Sequence, residues 1–510
     1  MLLDFNMIAV NVDVMKGWIE AAASIVQTVN DLWMHLCECL WRKQHKLKAT
    51  VLDDKNNLVA IYNVMYDDLS KFETNDGIHK HADGVTVTSP TLMFVAATDT
   101  LLDKMKQDNF DFSKVLALSG CAQQHGSVYW KNGSNDVLQH LKSDQSLYDG
   151  LKDCFSVKNS PIWMDSSTTE QCDILEKAVG GPLKLSNLTG SRAHHRFTGC
   201  QIAKIYQYNK VSYENTERIS LISNFACSLF VGRYAPIDYS DGSGMNLFDL
   251  RKKSLIETLL NACAPDLKDK IGALTPSATN IVGNISPYFV ERYGFRQMCQ
   301  IITFTGDNPS SMIGIGLKKK DIAISLGTSD TIFAWLKQWQ ESLIGHVFCS
   351  PLDDDAFMGL LFKNGALTRE RISSSCGCKS WNDFEHLLNK TNPGNDGNIG
   401  FYFDHPEILP YIPCASDFRF DKFDERVENF SPEVEARALV EHQALSKKTH
   451  LKSRFPDLWI DGKICRIILT GGASHNLSIA QIIADVFDTD VFMTNCVNSA
   501  AYGSALKAKF

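Results

Sequence analysis

An aspartate between a strand and a helix can take a proton from a bound hydroxyl, and Asp307 sits at such a junction. The run TFTGDNPSSMIGIG carries an apolar strand-like stretch over 301–304, then Gly306, which frees the backbone to turn. Asp307 follows, with Asn308 and Pro309 in the pattern of a first helical turn, where a missing N–H is harmless. On spacing alone the leading reading of Asp307 is a helix cap. A second strand-like run, 321–326, leads into Gly327-Thr328-Ser329-Asp330-Thr331. The N–H and hydroxyl groups of such a turn can converge on an anion, although the same residue types make ordinary hairpin turns.

Other polar clusters lie at the ends of predicted elements. The strand-like 115–118 runs into SGCAQQHGSVYW, which puts Gly120, Gln123, Gln124, His125 and Gly126 where open α/β sheets bind ligands. A strand over 162–164 is expected to carry Asp165 at its tip, with a helix from Ser167 onward. LTGSRAHHRFTG places Arg192, His194, His195 and Arg196 ahead of another helix. Adjacent histidines share no helix face, so a metal pair is a poor reading, whereas loop arginines suit hydroxyl or phosphate oxygens, or surface charge.

These groups need elements to position them. Residues 1–40 have helical spacing, including Trp18, Ile19, Ala22, Leu32 and Trp33. Residues 49–52 and 58–62 form a hairpin around a polar turn, and 85–105 reads as an amphipathic helix. Towards the C-terminus, Ser431-Pro432-Glu433 opens a helix to about 448. A strand over 466–469, the glycine turn 471–474 and a helix over 477–487 then follow, ahead of a strand at 491–493 and a small-residue helix over 498–509. Strand, glycine turn and helix aim backbone N–H groups at a nucleotide. Neither G-x-x-x-x-G-K-[ST] nor G-x-G-x-x-G occurs.

The chain has 510 residues, 44% of them hydrophobic and 22% charged, enough for two large domains of ordinary globular composition. A net charge of −8 argues against a nucleic-acid or anionic-membrane surface. The fifteen cysteines are scattered, with Cys37-x-Cys39 and Cys376-x-Cys378 but no CxxC pair, which suits a reduced, cytoplasmic compartment. No apolar run is long enough to span a membrane, and no secretory leader is visible.

Taken together, SGCAQQHGSVYW, WMDSSTTEQC, LTGSRAHHRFTG, DYSDGSGMNLFDL, FTGDNPSS, ISLGTSDT and LTGGASHN resemble, in order and over about 48–509, the FGGY carbohydrate kinases, in particular the branch acting on D-xylulose. The resemblance implies two actin-like (ribonuclease H-like) α/β domains facing across a cleft. One would span 41–315 on the sugar side and the other 316–510 on the nucleotide side, after an unmatched helix-like segment at 1–40. It implies ATP and Mg2+, a small sugar as acceptor, no nucleic-acid or membrane partner, and a monomer or homodimer. By the same resemblance Asp307 is the general base and a substrate contact with Asn308, His125 and Arg196. Gly327, Thr328 and Ser329 form a phosphate turn, Gly472, Ala473 and Asn476 hold adenosine, and Trp381 is a nucleotide-side aromatic. The metal ligands are left unassigned.

One departure stands out. The family's first strand ends in an Asp-x-Gly-Thr or Asp-x-Ser-Thr turn, whose place here is taken by Trp41, Arg42, Lys43 and Gln44. The chain also ends earlier than the family pattern, which suggests a truncated second domain. A product lacking its proper first exon, with weak activity or none, is the expected explanation. Rival readings are a kinase of another small ketose or polyol, a sugar- or nucleotide-binding protein without efficient transfer, and an actin-like ATPase. The last leaves the block around His125 and Arg196 without a purpose.

Overall fold

A computed structural model describes residues 32–39, 46–276, 280–327, 329–404, 416–494 and 499–509. The first large sheet contains β1 (Leu32–Cys39), β2 (Lys46–Leu52), β3 (Leu58–Met65), β4 (Val115–Ala122), β5 (Ile281–Asn284) and β6 (Gln300–Ile302). They are arranged β5-β6-β4-β1-β2-β3, with the short strand Thr305–Gly306 also pairing onto β4. The second contains β7 (Asp321–Ser325), β8 (Ser329–Leu336), β9 (His346–Cys349), β10 (Phe357–Asn364), β11 (Arg466–Thr470) and β12 (Val491–Met493), arranged β9-β10-β8-β7-β11-β12.

The two sheets repeat one plan. β1 pairs antiparallel with β2 on one side and parallel with β4 on the other. β7 does the same with β8 and β11. The connection from β1 to β2 is therefore the topological counterpart of the turn from β7 to β8. Both central strands bury apolar residues, such as Met34 in β1 and Ile322 and Ile324 in β7, as strands covered on both faces must.

Helices cover these sheets. α1 (Thr91–Gln107) turns Met93, Phe94, Ala97, Leu101 and Met105 into the first core, and α2 (Asp307–Ile315) follows the first sheet's last strands. On the second sheet lie α3 (Ala366–Ser375), α4 (Trp381–Leu388), α5 (Pro432–Arg454) and α6 (Leu477–Phe487). The last, α7 (Ser499–Lys509), leaves the second sheet and packs on α2 and on β1, β2 and β4 of the first.

Several expected elements hold closely: the hairpin at 53–57, α5, α6, β11, β12 and α7. In the hairpin turn Asp53 Oδ1 accepts from the N–H groups of Lys55 at 2.9 Å and Asn57 at 2.7 Å, which fixes the reversal. Three expectations are corrected. Residues 32–39 are strand rather than helix, because both edges are claimed by neighbouring strands; residues 1–31 and 40–45 lie outside the described residues. The helix expected from 85 begins at Thr91, since Pro90 bars its predecessor from helical geometry and Val87–Pro90 pairs as a strand with Asn159–Pro161. The strand expected at 162–164 lies earlier, at Asn159–Pro161, and Trp163 and Met164 form a turn.

α2 and α7 cross at glycines. A Cβ on Gly314 would lie 1.9 Å from the Ser499 carbonyl oxygen, and one on Gly503 would lie 1.9 Å from that of Ser310. The Ser310 hydroxyl meanwhile donates to the Ala500 carbonyl at 2.6 Å. Backbone on both sides leaves no room to yield. Gly503→Val is therefore expected to destabilise the fold by about 3 kcal/mol or more, the upper end of overpacking costs. Urea unfolding checks this, and an unchanged midpoint would contradict the close crossing.

Candidate active site

Asp307 is the first residue of α2, and Gly306, not Asp307, holds the capping position. Its Oδ1 accepts from the Asn308 N–H at 2.8 Å and from Asn308 Nδ2 at 3.3 Å. Part of its surface stays open. Burial pushes its carboxyl up to about 6, against the lowering effect of the N–H groups of Asn308 and Gln124 and its own. The helix N-terminus also favours the ionised form, yet desolvation wins. The result is a carboxylate basic enough to accept a proton near neutrality.

Gln123, Gln124 and His125 follow the end of β4. His125 has φ 72°, a left-handed conformation unusual for a residue with a Cβ and typical of a position held for function. The Thr198 hydroxyl donates to its carbonyl at 2.9 Å, and Phe197 packs 4.6 Å from its ring. Its Nδ1 lies 3.2 Å from the Gly244 carbonyl. Because a carbonyl only accepts, Nδ1 carries the proton, and Nε2 is left as an acceptor. Burial, then the charge of Arg196, hold the ring neutral, well below the usual histidine range.

Arg196 lies over the Trp163 ring at 5.8 Å and has no ion-pair or hydrogen-bond partner among the described residues. Burial lowers its guanidinium to about 10, so it remains charged at neutral pH. A half-buried, charged set of donors without a carboxylate calls for oxygen acceptors. Its sequence neighbours serve other ends. Arg192 pairs with Glu176 at 3.1 Å, while His194 packs against His346 with 5.5 Å between ring centroids. His346 comes from β9 of the second sheet and lies 3.0 Å from the Ser191 hydroxyl. Asp165 is structural, accepting from the Val87 N–H at 2.9 Å and Gln201 Nε2 at 2.8 Å.

On the second sheet, two glycine-containing turns meet. Leu326 N–H donates to the Thr470 carbonyl at 2.8 Å, and Ala473 N–H donates to the Leu326 carbonyl at 3.4 Å. Gly471 has φ 85°, and a Cβ there would lie 2.7 Å from the Leu326 carbonyl oxygen. Gly327, next after Leu326, is thus brought close to Ala473, while Ser329 opens β8 opposite Asn364 and Thr328 lies outside the described residues. No atom lies within 4 Å of a Cβ built on Gly472, so its backbone faces open space. Asn476 caps α6, its Oδ1 accepting from the Ile479 N–H at 3.0 Å, which leaves Nδ2 for a ligand. Trp381 opens α4 and is 43% exposed. One turn on, Glu385 accepts from the Ser478 N–H at 3.3 Å, joining α4 to the start of α6.

What braces Gly327 and Asp330 was not singled out from sequence. Asp330, fully buried, takes a bidentate pair of hydrogen bonds from Arg369, each 2.9 Å, and an ion pair from Lys447 at 2.7 Å. Arg369 also donates to Gln443 Oε1 at 2.8 Å and to the Gly327 carbonyl at 3.3 Å. Burial raises the Asp330 carboxyl, but Arg369 and Lys447 outweigh it and hold the group ionised. The acid inside GTSDT was visible; its partners, dozens of residues away, were not. Among the described residues no group of three or more His, Cys, Asp or Glu side chains could hold a metal ion, and no helix is long and apolar enough to cross a membrane.

A raised carboxyl at a helix start, an unpaired guanidinium and a neutral imidazole beside the first sheet, and paired glycine turns on the second are what a phosphotransferase acting on a polyhydroxy acceptor would need. Residues 152–314 match the N-terminal domain, and residues 322–510 the C-terminal domain, of the FGGY family of carbohydrate kinases. The chain belongs to that family. It is 50% identical over 465 residues to a xylulose kinase of Rattus norvegicus, covering 91% of this chain and 86% of that protein. It is 46% identical over 476 residues to xylulose kinase 2 of Arabidopsis thaliana, covering 91% and 84%. The fold is similar to that of a kinase from Brucella ovis described as a xyloylose kinase, with a TM-score of 0.76 at 16% identity over 94% of this chain and 90% of that one. A Plasmodium falciparum glycerol kinase with ADP gives 0.74 at 14% identity, covering 94% and 88%. The pair of actin-like domains expected from the sequence is the family's fold, here the repeated sheet plan.

Arg369→Met would remove both hydrogen bonds to Asp330 and the support of Gly327. A loss of about 3–5 kcal/mol in unfolding free energy is expected, typical of a broken buried ion pair. Chemical denaturation checks it, and a loss below 1 kcal/mol would show that Lys447 alone satisfies Asp330.

Proposed function

We propose that the chain transfers the γ-phosphoryl group of ATP to D-xylulose, giving D-xylulose 5-phosphate and ADP. The observation that carries this reading is Asp307, whose carboxyl burial brings to about 6 at the start of α2. The relatives named xylulose kinase favour this acceptor over another small ketose or polyol.

In the mechanism that follows, Arg196 and the His125 Nε2 hold sugar hydroxyls while Asn308 orients the acceptor end. Asp307 takes the proton of the attacking hydroxyl as its oxygen bonds to the γ-phosphorus, and the bond from that phosphorus to the β-phosphate oxygen breaks. Gly327, Thr328 and Ser329 carry the phosphates by backbone N–H and hydroxyl groups, and Gly472, Ala473, Asn476 and Trp381 receive adenosine. Residues 41–315 would form the sugar side, extended by β1, and 316–510 the nucleotide side; their approach excludes water and protects ATP from hydrolysis. Mg2+ carried on nucleotide phosphates takes most of its ligands from phosphate and water and would need only one or two protein carboxylates. When bound, the ion would supply charge neutralisation on the phosphates. The reaction requires no membrane, and we place it in the cytoplasm, in a monomer or homodimer.

A second reading, binding with weakened transfer, is favoured by one observation. The connection from β1 to β2, counterpart of the Leu326–Ser329 turn, carries Trp41, Arg42, Lys43 and Gln44 and no acid. Coupled ADP release across ketoses and polyols, run on this chain and on one with an Asp-x-Gly-Thr turn at 41–44, separates the two. Release stimulated by D-xylulose supports the kinase; release in the restored chain alone identifies the first turn as the defect. No release from either chain, with sugar binding intact, would overturn transfer.

In the active form kcat/KM should fall as pH drops through about 6, because protonated Asp307 cannot accept the hydroxyl proton. Asp307→Asn should lower kcat about 10^2- to 10^4-fold. A flat profile from pH 5 to 8 would remove Asp307 from that role.

A further inference from the structure

A buried hydrogen-bonded path reaches Asp307 from a residue that transfer does not itself require. Asp241 lies in the short helix Tyr239–Gly242 and is almost wholly buried. Its Oδ2 accepts from the Ser223 hydroxyl at 2.5 Å, and its N–H donates to Asp238 Oδ1 at 2.6 Å. Its Oδ1 accepts from Gln124 Nε2 at 3.4 Å. With its nitrogen so engaged, Gln124 turns Oε1 towards Asn308, whose Nδ2 donates to it at 3.0 Å and reaches Asp307 Oδ1 at 3.3 Å.

An amide works as a two-ended adapter. Its rotation by half a turn would set the Gln124 NH2 against the Asn308 NH2, donor against donor. The acceptor at Asp241 thereby selects the end that Gln124 shows to Asn308. Asn308 in turn keeps its NH2 on Asp307 and its carbonyl oxygen available for a sugar hydroxyl. The backbone locks this arrangement: a Cβ on Gly306 would lie 2.5 Å from Gln124 Cγ and 2.7 Å from Asp241 Oδ1. Behind it, Lys507 of α7 lies 4.0 Å from Asp238, both buried, and offsets that charge. Burial, followed by the charge of Asp238, pushes the Asp241 carboxyl well above the usual range, with a smaller push from Asp307.

We propose that Asp241 is a positioning residue for phosphoryl transfer, setting the Gln124 amide and, through Asn308, the orientation in which Asp307 meets the acceptor hydroxyl. This rests on the reading of Asp307 as the base. A purely structural role for Asp241 would lower thermal stability and affect both substrates alike.

The test combines calorimetry of D-xylulose and of a non-hydrolysable ATP analogue with crystal structures of the unliganded parent protein and its variants. Asp241→Leu and Gln124→Met should each weaken D-xylulose binding at least tenfold and leave the nucleotide within twofold, and the double variant should be no worse than either. Asp241→Asn still offers an oxygen to Gln124 and should recover binding to within threefold of the parent. If Asp241→Leu does not fold, Asp241→Ser, too short to reach Gln124, carries the same expectation. Folded variants with parent-like sugar affinity, equal losses for sugar and nucleotide, or multiplying effects would overturn the proposal. A parent that binds no D-xylulose would undo only the substrate assignment. The crystal structures then decide: the Asn308 amide turns away from Asp307 in Asp241→Leu if Asp241 sets it, and keeps its place if not.

Discussion

The structure depends on keeping one carboxylate, Asp307, largely out of water while leaving it a face for chemistry. Burial penalises its charge, and the N–H groups of Asn308 and Gln124 refund only part of that cost, so the group titrates near 6. Its surroundings follow from this compromise. Gly306 lets the backbone pass beside Gln124 and Asp241, where a Cβ would collide. α2 must stay fixed for the carboxylate to keep its partners, and α7, crossing at Gly314 and Gly503, clamps it to the first sheet. The last helix of the chain thereby supports a residue near its middle.

The second sheet solves a different problem, holding two glycine turns side by side with backbone facing open space, and it does so without a P-loop. Two turns are tied together through Leu326, and Asp330 anchors one of them to Arg369 and Lys447 inside the protein. A buried ion pair is not a general source of stability, but here its geometry is bidentate and its remaining donors are used on Gln443 and Gly327. The repeated sheet plan makes the contrast with the first half plain. The connection between its first two strands, residues 40–45, holds by sequence none of the small residues and no acid that would mirror Gly327 and Asp330.

Much of this was legible in the sequence, for reasons that differ by element. α6 and β11 carry strong periodicity and clean boundaries, so their limits were read almost residue for residue. Asp307 was legible as a strand-end acid ahead of Asn-Pro, and His125 as a polar residue beyond a buried strand. β1 was not, because Trp33 and its neighbours fit helical spacing and only the flanking strands, distant in sequence, decide otherwise. Asp241 stood inside a recognisable block, yet its link to Asp307 runs through Gln124, more than a hundred residues away. Long-range partnership of this kind leaves no local signal. The same holds for Arg369 and Lys447, which look like ordinary helix-surface cations until the fold buries them.

Burial brings the Asp307 carboxyl towards neutrality. That shift is tested most directly by carbon-13 NMR titration of the aspartate carboxyl groups in the intact chain, with Asp307→Asn used to assign the resonance. A midpoint at about 6 that disappears in the variant is the result this account predicts. A midpoint near the ordinary aspartate value of about 3.9 would contradict it and leave Asp307 as a structural residue at the head of α2.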